Sequence, residues 1–247
     1  MTAKYEMPPF DLRLAMDTLS AKDPRLAPLI KETQEFRIER GDAESPYEVL
    51  VEAITHQSIS GKAAATIFGR VKALGSNGSI PTPREMLKLR KPALRKAGLS
   101  GAKILAMKDL AQKAIDGVVP TLEEAYKLSD EELVKRLVSV RGIGAWTVEM
   151  FLIFRLGRPD VLPIHDLGVR KGWAITYGKK YMPNPKELLA FGERWRPYRT
   201  VASWYMWRAC QRAGHAALRK IRPHKIKPRK LAQPRRKGRR KSSRLKA

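Results

Sequence analysis

LVKRLVSVRGIGAWTVEMFLIFRLG, residues 133–157, is the stretch whose reading decides the fold. Leucine and valine spacing predicts a helix running to about Val140. Gly142-Ile143-Gly144 then forms a tight turn, and a second, very apolar helix runs from near Ala145 to Gly157. Two glycines around one aliphatic residue let the backbone reverse sharply while Ile143 fills the gap between the helices. The turn leaves free N–H groups at the start of the second helix. With the helix dipole behind them, such groups bind an anion such as a DNA phosphate. Gly142, Ile143, Gly144, Ala145 and Thr147 are the candidates for that contact. Taken by itself, Gly-x-Gly also fits an ordinary αα-corner.

Working outward, helix signals dominate. Ser45-Pro46-Tyr47-Glu48 combines an N-cap serine, a first-turn proline and a glutamate at the third helical position. Ser60 caps GKAAATIFGRVKAL, which stops at Gly75, and Ser100 caps GAKILAMKDLAQKAI, closed by Gly117. Thr82 with Glu85, Thr121 with Glu124 and Ser129 with Glu132 repeat the capping-box spacing. Asn184 with Pro185, and then Pro197, open two more helices. The best strand candidate is FRIER, residues 36–40, and it is short. The reading is all-α, with nine or ten helices joined by short turns and no internal repeat.

Lysine and arginine total 50 of the 247 residues against 24 acids, a net charge of +26. Residues 219–247 hold 15 of the cations and no acid, which leaves the body at +11. That balance points to a polyanion, nucleic acid before a membrane, because no long apolar run accompanies the charge. The tail has almost no apolar residues after Ile226 and cannot offset its ordering entropy, so it is expected to be disordered in isolation. The division is therefore a helical domain at 1–218 and a basic DNA-binding tail at 219–247. Cys210 is the only cysteine, which excludes an internal disulfide, a cysteine-rich zinc site and a four-cysteine iron–sulfur cluster. The N-terminus, MTAKYEMPPF, has no hydrophobic signal core, so an intracellular, DNA-associated protein is expected. PRRKGRRK, residues 234–241, suits a bacterial DNA anchor or a nuclear signal, with the bacterial cytoplasm or nucleoid favoured.

Shortly after the hairpin comes VLPIHDLGVRKGW, residues 161–173. A hairpin, a short linker, a proline and an aspartate opening a helix resemble the helix-hairpin-helix DNA glycosylase superfamily. Within it, the sequence is similar to the 3-methyladenine DNA glycosylase II branch. AITHQSISGKAAATIFGRV (53–71), LRKAGLSGAKILAMKDLA (94–111) and WRPYRTVASWYMWR (195–208) resemble further segments of that branch, and the likeness spans roughly residues 20–215. Larger members carry an N-terminal β-rich domain; this chain resembles the compact form. Ile164 and His165 separate Pro163 from the acid, where some members have one residue fewer, and the basic tail has no counterpart. The resemblance implies two helical subdomains flanking a cleft, acting as a monomer on double-stranded DNA. It implies a monofunctional enzyme that flips out alkylated purines such as 3-methyladenine and 7-methylguanine and hydrolyses the N-glycosidic bond, starting base excision repair. It requires no cofactor; a monovalent cation around Val140 to Ile143 is compatible with it.

Asp166 is the candidate catalytic residue. Breaking an N-glycosidic bond builds positive charge on the sugar, and a carboxylate beneath it stabilises that cation and orients water. A plain helix cap is the alternative, and one side chain can do both. Trp146 stands where lyase-active relatives place a catalytic lysine, and tryptophan cannot form a Schiff base. A base methylated on a ring nitrogen is cationic and stacks on indole faces. By resemblance Trp146 and Trp207 line its pocket, with Trp204 a third candidate; Trp173 and Trp195 suit core positions, and Tyr47 and Phe151 suit packing, with a pocket contribution as the alternative. The turn Gln57-Ser58-Ile59-Ser60 is the candidate wedge that fills the gap left by a flipped base, with a plain interhelical turn as the alternative. His56 and His165 lack partners at metal-ligand spacing, so no metal site is expected. Two rival readings are a non-catalytic helix-hairpin-helix DNA-binding protein and an RNA-binding or architectural factor defined by its tail.

Overall fold

The structure, a computed structural model, describes residues 5–6, 10–33, 36–39 and 45–223. The N-terminal part holds α1 (Leu12–Lys22), capped by the Asp11 carboxylate, and α2 (Ala27–Glu32). It also holds a two-stranded antiparallel sheet that pairs β1 (Tyr5–Glu6) with β2 (Ile38–Glu39), inside the predicted strand. Then follow α3 (Pro46–His56), α4 (Gly61–Lys72), α5 (Pro83–Lys88), α6 (Lys91–Lys96), α7 (Gly101–Ile115), α8 (Leu122–Lys127) and α9 (Asp130–Leu137). After the hairpin turn come α10 (Ala145–Phe154), α11 (Leu167–Thr176), α12 (Pro185–Gly192), α13 (Arg199–Arg212) and α14 (Gly214–Lys220).

The described residues thus contain fourteen α-helices rather than nine or ten. The excess lies in short pieces: α5 and α6 are six residues each, parted by extended backbone at Leu89 and Arg90. Full capping boxes close at Ser45, Thr82, Thr121 and Asn184. At Ser129 only half the box forms, because Glu132 turns its carboxylate to Arg136 Nε at 2.9 Å. Helix α13 starts at Arg199, two residues after Pro197, where Arg199 Nε meets Asp160 Oδ1 at 2.8 Å and Thr200 Oγ1 donates to the Arg158 carbonyl. The chain stays ordered past the expected tail boundary: Arg219 and Lys220 lie in α14, and Arg222 bridges Tyr181. The remainder of the tail lies outside the described residues.

Two hydrophobic cores form. One gathers residues between Tyr47 and Val161; the other gathers α1, Leu26 and Phe36 with residues from Leu162 to Met206. The chain therefore returns its N-terminus to its last third, and the two cores are the two expected subdomains. Phe154 and Trp207 pack against both, so the seam between the cores passes through them. The second core is pinned by Asp23, only 2% exposed, which accepts from Tyr177 Oη at 2.5 Å and Trp195 Nε1 at 3.0 Å. The Tyr177 hydroxyl is held well above its ordinary pKa, by burial first and by its bond to Asp23 second.

Several cations cap helix ends. Lys108 Nζ reaches the carbonyls of Met86, Leu87 and Leu89 at 2.6–2.7 Å. Lys103 Nζ reaches Thr55 O at 2.7 Å, Lys113 Nζ reaches Ser139 O at 2.7 Å, and Arg158 reaches Leu128 O at 2.7 Å. Each supplies a donor to carbonyls that the helix itself leaves unpaired. Burial lowers the pKa of both Lys103 and Lys108. Among the described residues no helix is long and apolar enough to cross a membrane.

Candidate active site

The hairpin forms as the glycines require. Helix α9 ends at Leu137, three residues earlier than the leucine spacing suggests, and its last turn tightens through Val140 N to Leu137 O at 3.1 Å. Gly142 adopts φ +78°, which a side chain would resist, and Gly144 caps α10 without a side-chain bond. Ile143 is buried in the first core, as its plug role demands. Thr147 is also buried, its amide bonded to Gly144 O, so its side chain lines a cavity instead of meeting solvent. The exposed part of the turn is Arg141, Gly142, Gly144 and Ala145. Helix α10 ends at Phe154 rather than Gly157, where Leu156 N doubles back to Phe151 O at 3.1 Å.

The candidate wedge touches the hairpin directly. Gln57 Nε2 donates to Gly142 O at 3.0 Å across 85 residues of sequence. Lys103 fixes the preceding Thr55 carbonyl, and Ser60 caps α4. Between these anchors Ser58 takes φ +59°, a left-handed conformation that costs a non-glycine residue about 1 kcal/mol. Such strain survives where the surroundings impose it. Ser58 and Ile59 project into solvent at this point.

A cavity of about 600 Å³ opens between α3 and α10. Val49, Glu52, Ala53 and His56 recur at helical spacing along its α3 wall; Trp146, Met150, Phe151 and Phe154 line the α10 wall, with Arg155 beside them. His56 Nδ1 lies 2.9 Å from the Glu52 carbonyl, an acceptor, so Nδ1 carries the proton. Sequence reading names Trp146, Gln57, Ser58, Thr147 and Phe151 of these residues but misses Glu52, His56 as a wall residue, Met150 and Arg155. Their signal was the shared helical face, which has meaning only once the opposing helix is known.

Asp166 does not line the cavity; its link to it is Trp146. It N-caps α11, its Oδ1 accepting from Val169 N at 2.8 Å, and is half-buried. Trp207 Nε1 donates to the same Oδ1 at 2.8 Å, and Trp146 Nε1 donates to Oδ2 at 2.8 Å. Cap and candidate catalyst are thus one carboxylate, held on both oxygens by N–H donors from three helices. Trp146 is shared between this bond and the cavity wall, with 47% of its surface exposed. Trp207 stacks on Phe154, ring centroids 5.7 Å apart. Trp204 does not reach the site: it is 4% exposed, packs 5.4 Å from Phe36, and donates Nε1 to Arg37 O. Trp195 lies fully in the second core, and Tyr47 is buried with its hydroxyl on Pro81 O. His165 is exposed beside Asp166.

Glu149 was not anticipated. It is the lone acid of the apolar helix AWTVEMFLIF, one turn beyond Trp146, and its Oε2 is buried without a hydrogen-bond partner. Burial, and secondarily the charge of Asp166, push its pKa up from 4.5 to about 7. Ionising Glu149 therefore costs more in the folded protein than in the unfolded chain. That cost is absent below pH 4.5, grows as pH rises and is complete above about 7. The full shift corresponds to roughly 3 kcal/mol, of which partial exposure leaves about 1–2 kcal/mol. Glu149→Gln is expected to raise Tm by roughly 2–8 °C over wild type at pH 8 and by almost nothing at pH 4.5. An equal offset at both pH values in thermal melts would refute this origin.

The HhH-GPD superfamily model, described as a base excision DNA repair protein, matches residues 51–197. The chain is 39% identical to DNA-3-methyladenine glycosylase 1 of Schizosaccharomyces pombe over 84% of its length and 90% of that protein. The solved structure of a Schizosaccharomyces pombe 3-methyladenine DNA glycosylase in complex with abasic DNA superposes with a TM-score of 0.72 at 40% identity, covering 79% of this chain and 95% of that one. A DNA-3-methyladenine glycosidase from Bacillus halodurans superposes with a TM-score of 0.73 at 31% identity, covering 88% and 98%. A glycine hairpin set against an indole-held aspartate, on a helical scaffold shared with these proteins, places the chain in a family: it belongs to the HhH-GPD superfamily of base excision DNA repair proteins.

Proposed function

We propose that the protein is a monofunctional DNA-3-methyladenine glycosylase that flips alkylated purines out of duplex DNA and hydrolyses their N-glycosidic bonds. The observation that carries this reading is the carboxylate of Asp166, fixed by Trp146 and Trp207, with Trp146 also forming part of the wall of an aromatic-lined cavity. The exposed hairpin amides take a phosphate of the lesion strand. The turn at Ser58 and Ile59 enters the space the nucleotide leaves, and the flipped base enters the cavity. A methylated purine is cationic, so indole faces hold it and it leaves without being protonated. Positive charge then develops on the sugar, where Asp166 stabilises it electrostatically and directs the water that attacks.

No amine stands at position 146, so the enzyme leaves an abasic site rather than cutting the strand. The oxygen-only carbonyl set of Val140 to Ile143 suits a hard monovalent cation, which would add positive charge beside the bound phosphate. Phosphate binding itself rests on the hairpin amides. Methylated DNA incubated with the protein is expected to release free 3-methyladenine and 7-methylguanine on chromatography. The strand should break only on alkali treatment, with no borohydride-trapped protein–DNA adduct. A trapped adduct would replace the hydrolytic mechanism with a lyase one.

A further inference from the structure

We propose that Gly168 is a positioning residue for catalysis: its missing side chain is what lets Trp207 donate to Asp166. This rests on Asp166 being the catalytic carboxylate. Gly168 lies in the first turn of α11, two residues after Asp166, facing α13. A Cβ built there would stand 2.7 Å from Trp207 Cδ1, 3.2 Å from Trp207 Nε1 and 3.0 Å from Asp166 Oδ1. The added atom would sit against both ends of the 2.8 Å bond between the indole and the carboxylate.

The backbone does not explain the residue. Gly168 is not among the positions with positive φ, and it lies within a helix, where alanine is the better former. Its conflict is with one side chain and one carboxylate, both belonging to the site. Gly172, one turn on, is the contrast: a Cβ there would lie 1.9 Å from the Met206 carbonyl oxygen, a backbone clash that concerns only how closely α11 and α13 pack. The two glycines thus divide the work along one helix face, Gly172 setting the approach of the helices and Gly168 setting the reach of Trp207.

In Gly168→Ala, Trp207 must retreat, and Phe154, on which it stacks, limits where it can go. Asp166 keeps its bonds from Val169 N and Trp146 Nε1 but loses one of the donors that hold Oδ1. The expected result is single-turnover release of 7-methylguanine slowed roughly 10- to 100-fold, since small displacements of reacting groups cost about that much. Affinity for DNA carrying a tetrahydrofuran abasic analogue should stay within about two-fold, since the hairpin is untouched.

The deciding comparison is made in a Trp207→Ala background, which removes Cδ1 and Nε1, the atoms that the methyl would meet. There Gly168→Ala should cost less than about two-fold beyond Trp207→Ala alone, because the interaction it disrupts is already gone. A wild-type rate for Gly168→Ala overturns the proposal, and so does the same loss in both backgrounds, which would mark Gly168 as a general packing position. Folding of the double variant where Gly168→Ala alone fails to fold supports it; failure of both to fold overturns it. If Asp166→Asn released bases normally, the catalytic reading itself would fall, a result separate from all of these.

Discussion

Asp166→Asn is expected to bind methylated DNA as the wild type does and to release bases about 10²- to 10³-fold more slowly. Asparagine is as good an N-cap as aspartate, so α11 should keep its first turn and its Val169 contact. What goes is the charge, and with it one acceptor. Asp166 now receives indole N–H groups on both oxygens, whereas the amide of asparagine offers one oxygen and would set an N–H against the other donor. The substitution thus removes stabilisation that matters only once the sugar becomes cationic. Chromatographic assay of 3-methyladenine and 7-methylguanine, beside binding to abasic-analogue DNA, separates the two effects. Near-normal release would leave Asp166 as a cap alone.

The largest expected loss of stability lies far from that chemistry. Asp23→Ala would strand the Tyr177 hydroxyl and the Trp195 indole N–H inside the second core. Asp23 also accepts from the backbone of Leu26, so the turn between α1 and α2 loses its tie as well. Buried donors left without partners cost about 1–3 kcal/mol each, so a total near 3–4 kcal/mol is expected. At this chain length that lowers Tm by roughly 6–16 °C. Thermal unfolding followed by circular dichroism would measure it, and a shift under about 2 °C would mean the core relaxes around the gap. Tyr177 follows the last residue of α11 and Asp166 caps its first turn, so this anchor steadies the same helix that presents the carboxylate.

How far the sequence foretells these features depends on range. Caps are local: Ser45 with Glu48 and Thr121 with Glu124 lie within one turn of each other, and both boxes form as their spacing predicts. The turn of the hairpin is equally local, since two glycines and one plug set its geometry, whereas telling it from an ordinary αα-corner takes the surrounding segments. Trp204 and Trp207 show where local reasoning ends. They sit three apart on α13, yet one turns to Arg37, 167 residues away, and the other to Asp166. Nothing near either residue encodes that difference, because it depends on the N-terminal segment returning to the second core. The cavity is illegible for the same reason: each wall is an unremarkable apolar stripe until α3 and α10 face each other. Glu149 was visible as an odd acid in an apolar helix, but its neighbour Asp166 is supplied by the loop beyond.

The cations that cap helix ends change how the protein's charge should be counted on DNA. Affinity for a polyanion grows as basic groups displace the counterions condensed along it, each phosphate neutralised adding to the salt dependence. Lys103, Lys108, Lys113 and Arg158 already rest on carbonyl oxygens within the fold, and Lys113 also pairs with Asp109. To release a DNA counterion they would first have to uncap a helix. The formal +26 therefore overstates the charge that reaches the duplex. The slope of affinity against salt reports the smaller set of lysines and arginines that the fold leaves uncommitted.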